Sequence, residues 1–235
     1  MIVVRSLLFV AVFYLLSTLT AIAMLPLLLC PRRWMILAMG FWSATTTLLL
    51  RLICQVRVDI RGREYLPAGA GLVAAKHQCM FDTMGPLGVF HDCAYVMKRE
   101  LLIIPFYGWY SRKAGMIAID RGAHAKALRA LIADATQCAR DDRQVVIFPE
   151  GHRMDPGAAP DYKPGVAALY RALDLPCTPM ATNSGLHWPA HGFLRRPGTI
   201  VYQFLEPIPA GLSRAAFMRT LEDRLEAAST ALLGE

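Results

Sequence analysis

The chain opens with one long apolar stretch and then alternates short apolar runs with longer amphipathic ones. Residues 6–29 carry no charge, and at about 1.5 Å per residue a helix of that length can cross a hydrocarbon core of roughly 30 Å. Pro31-Arg32-Arg33-Trp34 then supplies a helix stop, two charges and an aromatic suited to a membrane interface. A second apolar segment, residues 35–50, is shorter and is diluted by Ser43, Thr45, Thr46 and Thr47, which fits a re-entrant or interfacial helix better than a full span. Beyond it, apolar runs predict strands at residues 56–60, 72–75, 94–97, 116–119, 145–148, 177–181 and 200–205. Several are continuous, as in strands covered on both faces. Helical periodicity separates them, most clearly at residues 123–139, where Leu128, Leu131, Ile132, Ala135 and Ala139 share a face. A last helix is expected from Ser213 as N-cap, with Phe217, Leu221, Leu225 and Leu232 at helical spacing. The alternation predicts an α/β fold, a mostly parallel mixed sheet flanked by helices, behind an N-terminal hydrophobic helical membrane motif. Its site should lie at the carboxyl ends of the strands.

Composition strengthens the membrane reading. Hydrophobic residues make up 55% of the chain and charged residues only 18%, too apolar for an ordinary soluble enzyme. Arg51, Arg57, Arg61 and Arg63 follow the second segment, and the positive-inside rule places them and Arg32-Arg33 in the cytoplasm. Two complete spans would leave Arg32-Arg33 outside, which favours one span or a helical hairpin seated in one leaflet. A cleaved signal peptide ending at Ala21-Ile22-Ala23 is the alternative, but the apolar run continues past that point. The net charge of +7 suits an anionic membrane surface, where each Lys or Arg contributes about 1 kcal/mol. Nucleic acid is the competing partner, yet the arginines are scattered and no RNA-binding or zinc-finger signature is present. Cys30, Cys54, Cys79, Cys93, Cys138 and Cys177 form no CxxC pair, as expected of reduced thiols. His187 and His191 enclose Pro189, which breaks the helix a metal pair would need.

The candidate chemistry sits in two clusters, each following a predicted strand. In the first, Lys76-His77-Gln78-Cys79-Met80-Phe81-Asp82, the five-residue spacing puts His77 and Asp82 about 140° apart on a straight helix, so they cannot share a face of one. They can meet if His77 lies at a strand-to-helix turn and Asp82 in the first helical turn. Asp82 would then fix the imidazole tautomer and leave the other nitrogen as a general base. On these residues alone, a surface histidine followed by a helix-start aspartate fits as well. Cys79 is a conceivable nucleophile, though a cysteine beside Met80 and Phe81 is more often a small buried residue. The second cluster is Phe148-Pro149-Glu150-Gly151-His152-Arg153. Gly151 permits an unusual turn, Arg153 offers a planar fork for phosphate, and Glu150 can position a neighbouring basic group or a substrate hydroxyl. A solvated loop ion pair is the plainer reading of the same residues. Arg121 and Lys98 also follow predicted strands, where they can converge with Arg153 on one anion or remain surface charges.

Taken in order, these motifs resemble the 1-acylglycerol-3-phosphate acyltransferase family. His77 and Asp82 match its HxxxxD motif, residues 115–121 its second block, Phe148 to Arg153 its FPEGTR block, and residues 175–180 its proline-containing fourth block. The resemblance covers roughly residues 55–210. It implies a membrane-associated helical segment at residues 1–54 and an acyltransferase catalytic domain of the glycerolipid acyltransferase fold at residues 55–235. It further implies transfer of a fatty acyl group from acyl-CoA or acyl carrier protein to the free hydroxyl of 1-acyl-glycerol-3-phosphate, giving phosphatidic acid in phospholipid biosynthesis. His77 would be the base and Asp82 its orienting partner. Glu150, Gly151, Arg153, Arg121 and Lys98 would form the acceptor site. No metal or cofactor is implied, and the expected location is the cytoplasmic side of the cell inner membrane. His152 stands where the family carries threonine, which opens the alternative of another lysolipid acceptor such as lyso-ornithine lipid. A non-catalytic membrane scaffold is the reading from a different class.

Overall fold

The computed structural model describes residues 1–120, 122 and 124–234. The chain begins with helices α1 (Ile2–Ala23) and α2 (Arg32–Cys54), joined by a 3-10 turn at Leu25–Leu28 in which Pro26 fits the first positions. Arg5 meets Cys54 and Ser17 meets Trp42, so the two helices run antiparallel as a hairpin. Both are long and apolar enough to cross a membrane by length and composition. The second exceeds the segment expected from its hydroxyl-rich sequence. Thr45 and Thr47 donate to the carbonyls of Phe41 and Ser43 one turn back, and Ser43 donates to Met84 at 2.6 Å, so these hydroxyls are satisfied without breaking the helix. Gln55, in the left-handed region at φ 59°, ends it.

The rest is a seven-stranded mixed sheet with helices on both faces. The strands are β1 (Val56–Arg61), β2 (Gly71–Ala75), β3 (Cys93–Lys98), β4 (Ile117–Ile119), β5 (Gln144–Ile147), β6 (Cys177–Thr182) and β7 (Gly198–Phe204), in the order β1-β7-β6-β2-β5-β3-β4. All neighbours are parallel except β6 and β7. The central strands β2, β5 and β6 are buried along their whole length; residues 72–75 of β2 and 145–147 of β5 read as apolar runs, whereas β6 also carries Thr178 and Thr182. On one face lie α3 (Tyr107–Lys113) and the hairpin. On the other lie α4 (His124–Arg140), α5 (Gly165–Leu173) and α7 (Arg214–Leu232), whose Leu131, Ala135, Leu169, Phe217, Leu221 and Leu225 join one core with Leu72, Val145 and Cys177. As expected, Ser213 caps α7 by accepting from the Ala216 amide. A short α6 (Ser184–His187) follows β6.

The hairpin docks along its full length. Ser6, Phe9 and Phe13 from α1, and Met35, Ser43, Thr46, Leu50 and Cys54 from α2, are all buried. Ser6 exchanges hydrogen bonds with the Arg195 backbone, and Arg32 pairs with Asp92. Phe9 and Phe13 meet the edges of the Trp188 ring at 5.5 and 6.1 Å. Trp188 in turn stacks on Phe81 at 5.4 Å, next in sequence to Asp82, and carries the Arg195 guanidinium 4.0 Å above its ring.

Candidate active site

His77 leaves the carboxyl end of β2, and the chain then enters a 3-10 turn at Met80–Thr83. Cys79 is the N-cap, in extended geometry, and Asp82 is the third turn residue, so the Asp82 carboxylate folds back over the turn's start. Its Oδ2 accepts from the Gln78 and Cys79 amides at 2.7 and 2.8 Å and lies 3.1 Å from His77 Nδ1. Its Oδ1 accepts from the Tyr202 hydroxyl at 3.2 Å. The strand-to-helix geometry anticipated from the spacing is therefore present. Burial pushes the Asp82 carboxyl up, but the His77 hydrogen bond and charge, with further hydrogen bonds, outweigh it and hold the group below its usual range. An ionised carboxylate only accepts, so Nδ1 carries the proton in neutral His77 and Nε2 is the basic nitrogen. Nε2 has no hydrogen-bond partner among the described residues, and the side chain retains 13% exposure.

The second cluster is tied to the first. Phe148 stacks on the His77 ring with centroids 4.1 Å apart, and the Met154 amide donates to the His77 carbonyl at 2.8 Å. Between these anchors, Gly151 adopts φ 74°, a conformation that favours glycine. His152 and Arg153 are exposed on the loop. Glu150 points the other way. It is buried, and its Oε1 accepts from Lys76 Nζ at 2.7 Å, while Lys76 also binds Glu226 of α7 at 2.6 Å. The Tyr162 hydroxyl adds a 2.7 Å bond to the same Glu226 oxygen. Of the two roles considered for Glu150, the structure gives it the positioning of a basic group. It anchors the loop through Lys76. Burial pushes its carboxyl up despite the opposing pull of Lys76.

Lys98 ends β3 exposed, one strand beyond β5. Parallel register puts the ends of β2, β5 and β3 side by side, so with strands about 4.8 Å apart His77 and Lys98 belong to ends roughly 10 Å apart. Arg121 lies outside the described residues. Cys79 is fully buried, and burial together with the Asp82 charge pushes its thiol well above the ordinary range, the opposite of an activated nucleophile. Among the described residues no group of three or more His, Cys, Asp or Glu side chains is placed to hold a metal ion.

Lys76, Glu226 and Tyr202 are additions to the site as read from the sequence. Lys76 alone left a trace there: a charge adjoining the apolar run of β2 must be paired if it is buried. Its partner Glu226 lies 150 positions away, and Tyr202 is 120 from Asp82, separations at which no local pattern exists.

The family described as Acyltransferase matches residues 57–183, from the second residue of β1 to just past β6. The 1-acyl-sn-glycerol-3-phosphate acyltransferase of Pseudomonas aeruginosa is 36% identical over 159 residues, covering 68% of this chain and 62% of that protein. The 1-acyl-sn-glycerol-3-phosphate acyltransferase alpha of Mus musculus is 31% identical over 131 residues, 55% of this chain and 46% of that protein. The chain thus matches between about half and three-fifths of the length of these curated relatives. The crystal structure of the 1-acyl-sn-glycerophosphate acyltransferase of Thermotoga maritima superposes with a TM-score of 0.80 over 97% of both chains at 20% identity, a likeness of fold. The family match covers more than half of the sequence and contains both site clusters, and the chain belongs to the acyltransferase family.

Proposed function

We propose that this protein is a membrane-bound O-acyltransferase that moves a fatty acyl group from acyl-CoA or acyl carrier protein to the free hydroxyl of 1-acyl-glycerol-3-phosphate, forming phosphatidic acid. The observation that carries the reading is the His77 Nδ1–Asp82 pair at a strand end, with Nε2 unpartnered among the described residues beside a loop that exposes Arg153. In this mechanism Nε2 takes the proton of the acceptor hydroxyl as its oxygen attacks the thioester carbonyl. Asp82 holds the imidazole and stabilises the imidazolium that forms. The tetrahedral intermediate collapses with cleavage of the carbon–sulfur bond, and the departing thiolate takes the proton back from Nε2. No acyl-enzyme, metal or bound cofactor enters these steps. Arg153 and Lys98, with Arg121, hold the acceptor phosphate, and Gly151 gives the loop its turn.

Residues 1–54 seat the protein in the membrane, and residues 55–235 carry out catalysis on the cytoplasmic side of the inner membrane. Docking of the hairpin along its whole length supports insertion into one leaflet. A transverse hairpin would draw the partly exposed Arg143–Asp92 pair and the charged surface of the sheet layer into hydrocarbon.

The test is to give purified protein a labelled acyl thioester and a mixture of lysolipids and to identify the products by mass spectrometry. Labelled phosphatidic acid as the main product is the expected result. Preferential labelling of lyso-ornithine lipid would move the assignment to that acceptor, with His152 as the residue to exchange for threonine. Labelling of no lipid would leave the scaffold reading.

A further inference from the structure

We infer that residues 99–109 form a second membrane-contacting element, a wedge that enters the surface of an anionic bilayer between the hairpin and the active-site edge of the sheet. The inference rests on the membrane-bound reading above and adds a surface to it. Ile103 is 81% exposed, and Ile104, Tyr107 and Trp109 are 43–45% exposed. Four large apolar side chains facing water within seven positions mark an interaction surface and not the scattered exposure normal for a protein exterior. Trp and Tyr are also the side chains that favour the headgroup region.

The segment is built to present them. Phe106 sits at φ 62° and ψ −61°, and the Tyr107 amide donates to the Pro105 carbonyl at 2.7 Å, which is the rare and strained form of γ-turn. Strain of this kind persists only where the surrounding contacts enforce it. Here Gly108 packs so tightly on the preceding turn that a Cβ would stand 2.1 Å from the Leu102 carbonyl oxygen.

Two observations identify the occupant as a lipid surface. The first is continuity. Tyr110 donates to the Ala21 carbonyl at the end of α1, and Phe106 packs against the cluster containing Met24 and Leu27, so the wedge adjoins the hairpin turn, where Leu25 and Leu29 are exposed. The second is charge. Lys98, Arg99, Arg112 and Lys113 flank the apolar residues, against Glu100 within the segment and Asp120, which pairs with Arg99 at 3.3 Å. The balance is positive, as an anionic leaflet requires. Because the wedge continues directly from Lys98 at the end of β3, its insertion brings the bilayer surface up to the acceptor site.

Two measurements test this. The first uses vesicles of brominated phosphatidylglycerol. Wild-type tryptophan fluorescence should be quenched more than that of Trp109→Phe, and less so in brominated phosphatidylcholine. The second uses an Ile103→Asp, Ile104→Asp double variant, with retention of fold checked by circular dichroism. It should raise KM about tenfold or more for long-chain lysophosphatidate in vesicles while leaving KM for a water-soluble short-chain analogue unchanged. Equal quenching of wild type and Trp109→Phe, or equal KM changes for the two acceptors, overturns the wedge. Loss of a dimer in the double variant without any lipid quenching of Trp109 also overturns it, in favour of self-association. If wild type acylates neither acceptor while Trp109 is still quenched, the wedge stands and the acceptor assignment fails.

Discussion

Replacing Lys76 with methionine removes the ammonium that bridges two carboxylates. Lys76 Nζ lies 2.7 Å from Glu150 and 2.6 Å from Glu226, with side-chain exposures of 3%, 0% and 23% for the three residues. Glu150 Oε2 has no hydrogen-bond partner among the described residues, so without the ammonium that carboxylate would be buried and unpaired on both oxygens. Breaking a buried pair from one side costs about 3–5 kcal/mol. Burial already pushes the Glu150 carboxyl up, so protonation offers an escape, and the loss should sit near 3 kcal/mol, at the low end of that range, at pH 7. The sign follows from linkage. Removing Lys76 raises the folded-state pKa of Glu150 further, so the penalty is largest above that pKa and shrinks as the pH falls through it. Urea unfolding in detergent at pH 7 and pH 5 reads both effects. The Lys76→Met, Glu150→Gln double variant should recover much of the loss, because no buried charge is left unpaired. A single variant within about 0.5 kcal/mol of wild type at pH 7, the range of ordinary surface changes, would refute the reasoning, as would a double variant no more stable than the single one.

Two further outcomes follow from the same contacts. Cys79→Ser should retain acyl transfer and form no covalent acyl adduct, because the thiol is buried and held protonated; inactivation together with an adduct in wild type, seen by intact-protein mass spectrometry, would restore a cysteine mechanism. The Asp82 carboxyl is depressed in the folded state, so it contributes stability that is present above its ordinary value of 3.8 and lost as the pH falls through the lower folded value. Acid unfolding of Asp82→Asn should therefore be less steep over that range than wild type, and identical acid limbs would count against an ionised Asp82.

The parts of the fold legible in the sequence are those with a local physical cause. Strands β2 and β5 are buried on both faces, and residues 72–75 and 145–147 are apolar accordingly, while the equally buried β6 admits Thr178, whose hydroxyl donates to the Tyr65 carbonyl. Ser213 had to cap α7 because no other side chain there offers an oxygen at the right place. The His77–Asp82 contact was legible because a strand-to-helix turn resolves the angular mismatch of a five-residue spacing. Strand direction has no such signature, and nothing in residues 198–204 announces that β7 enters antiparallel to β6. The length of α2 was masked because the Ser43, Thr45 and Thr47 hydroxyls bond to backbone carbonyls, an outcome that composition does not encode. Lys76 with Glu226, and Asp82 with Tyr202, are joined only by the folded topology.

The central claim is that His77 is the base that activates a lipid hydroxyl. The direct measurement is the steady-state rate of labelled acyl transfer to lysophosphatidate by His77→Ala beside wild type, with an unchanged unfolding midpoint confirming the fold. The account predicts a rate lower by about 10²–10⁴-fold, the contribution of a positioned general base. A correctly folded His77→Ala protein that turns over at the wild-type rate would contradict it.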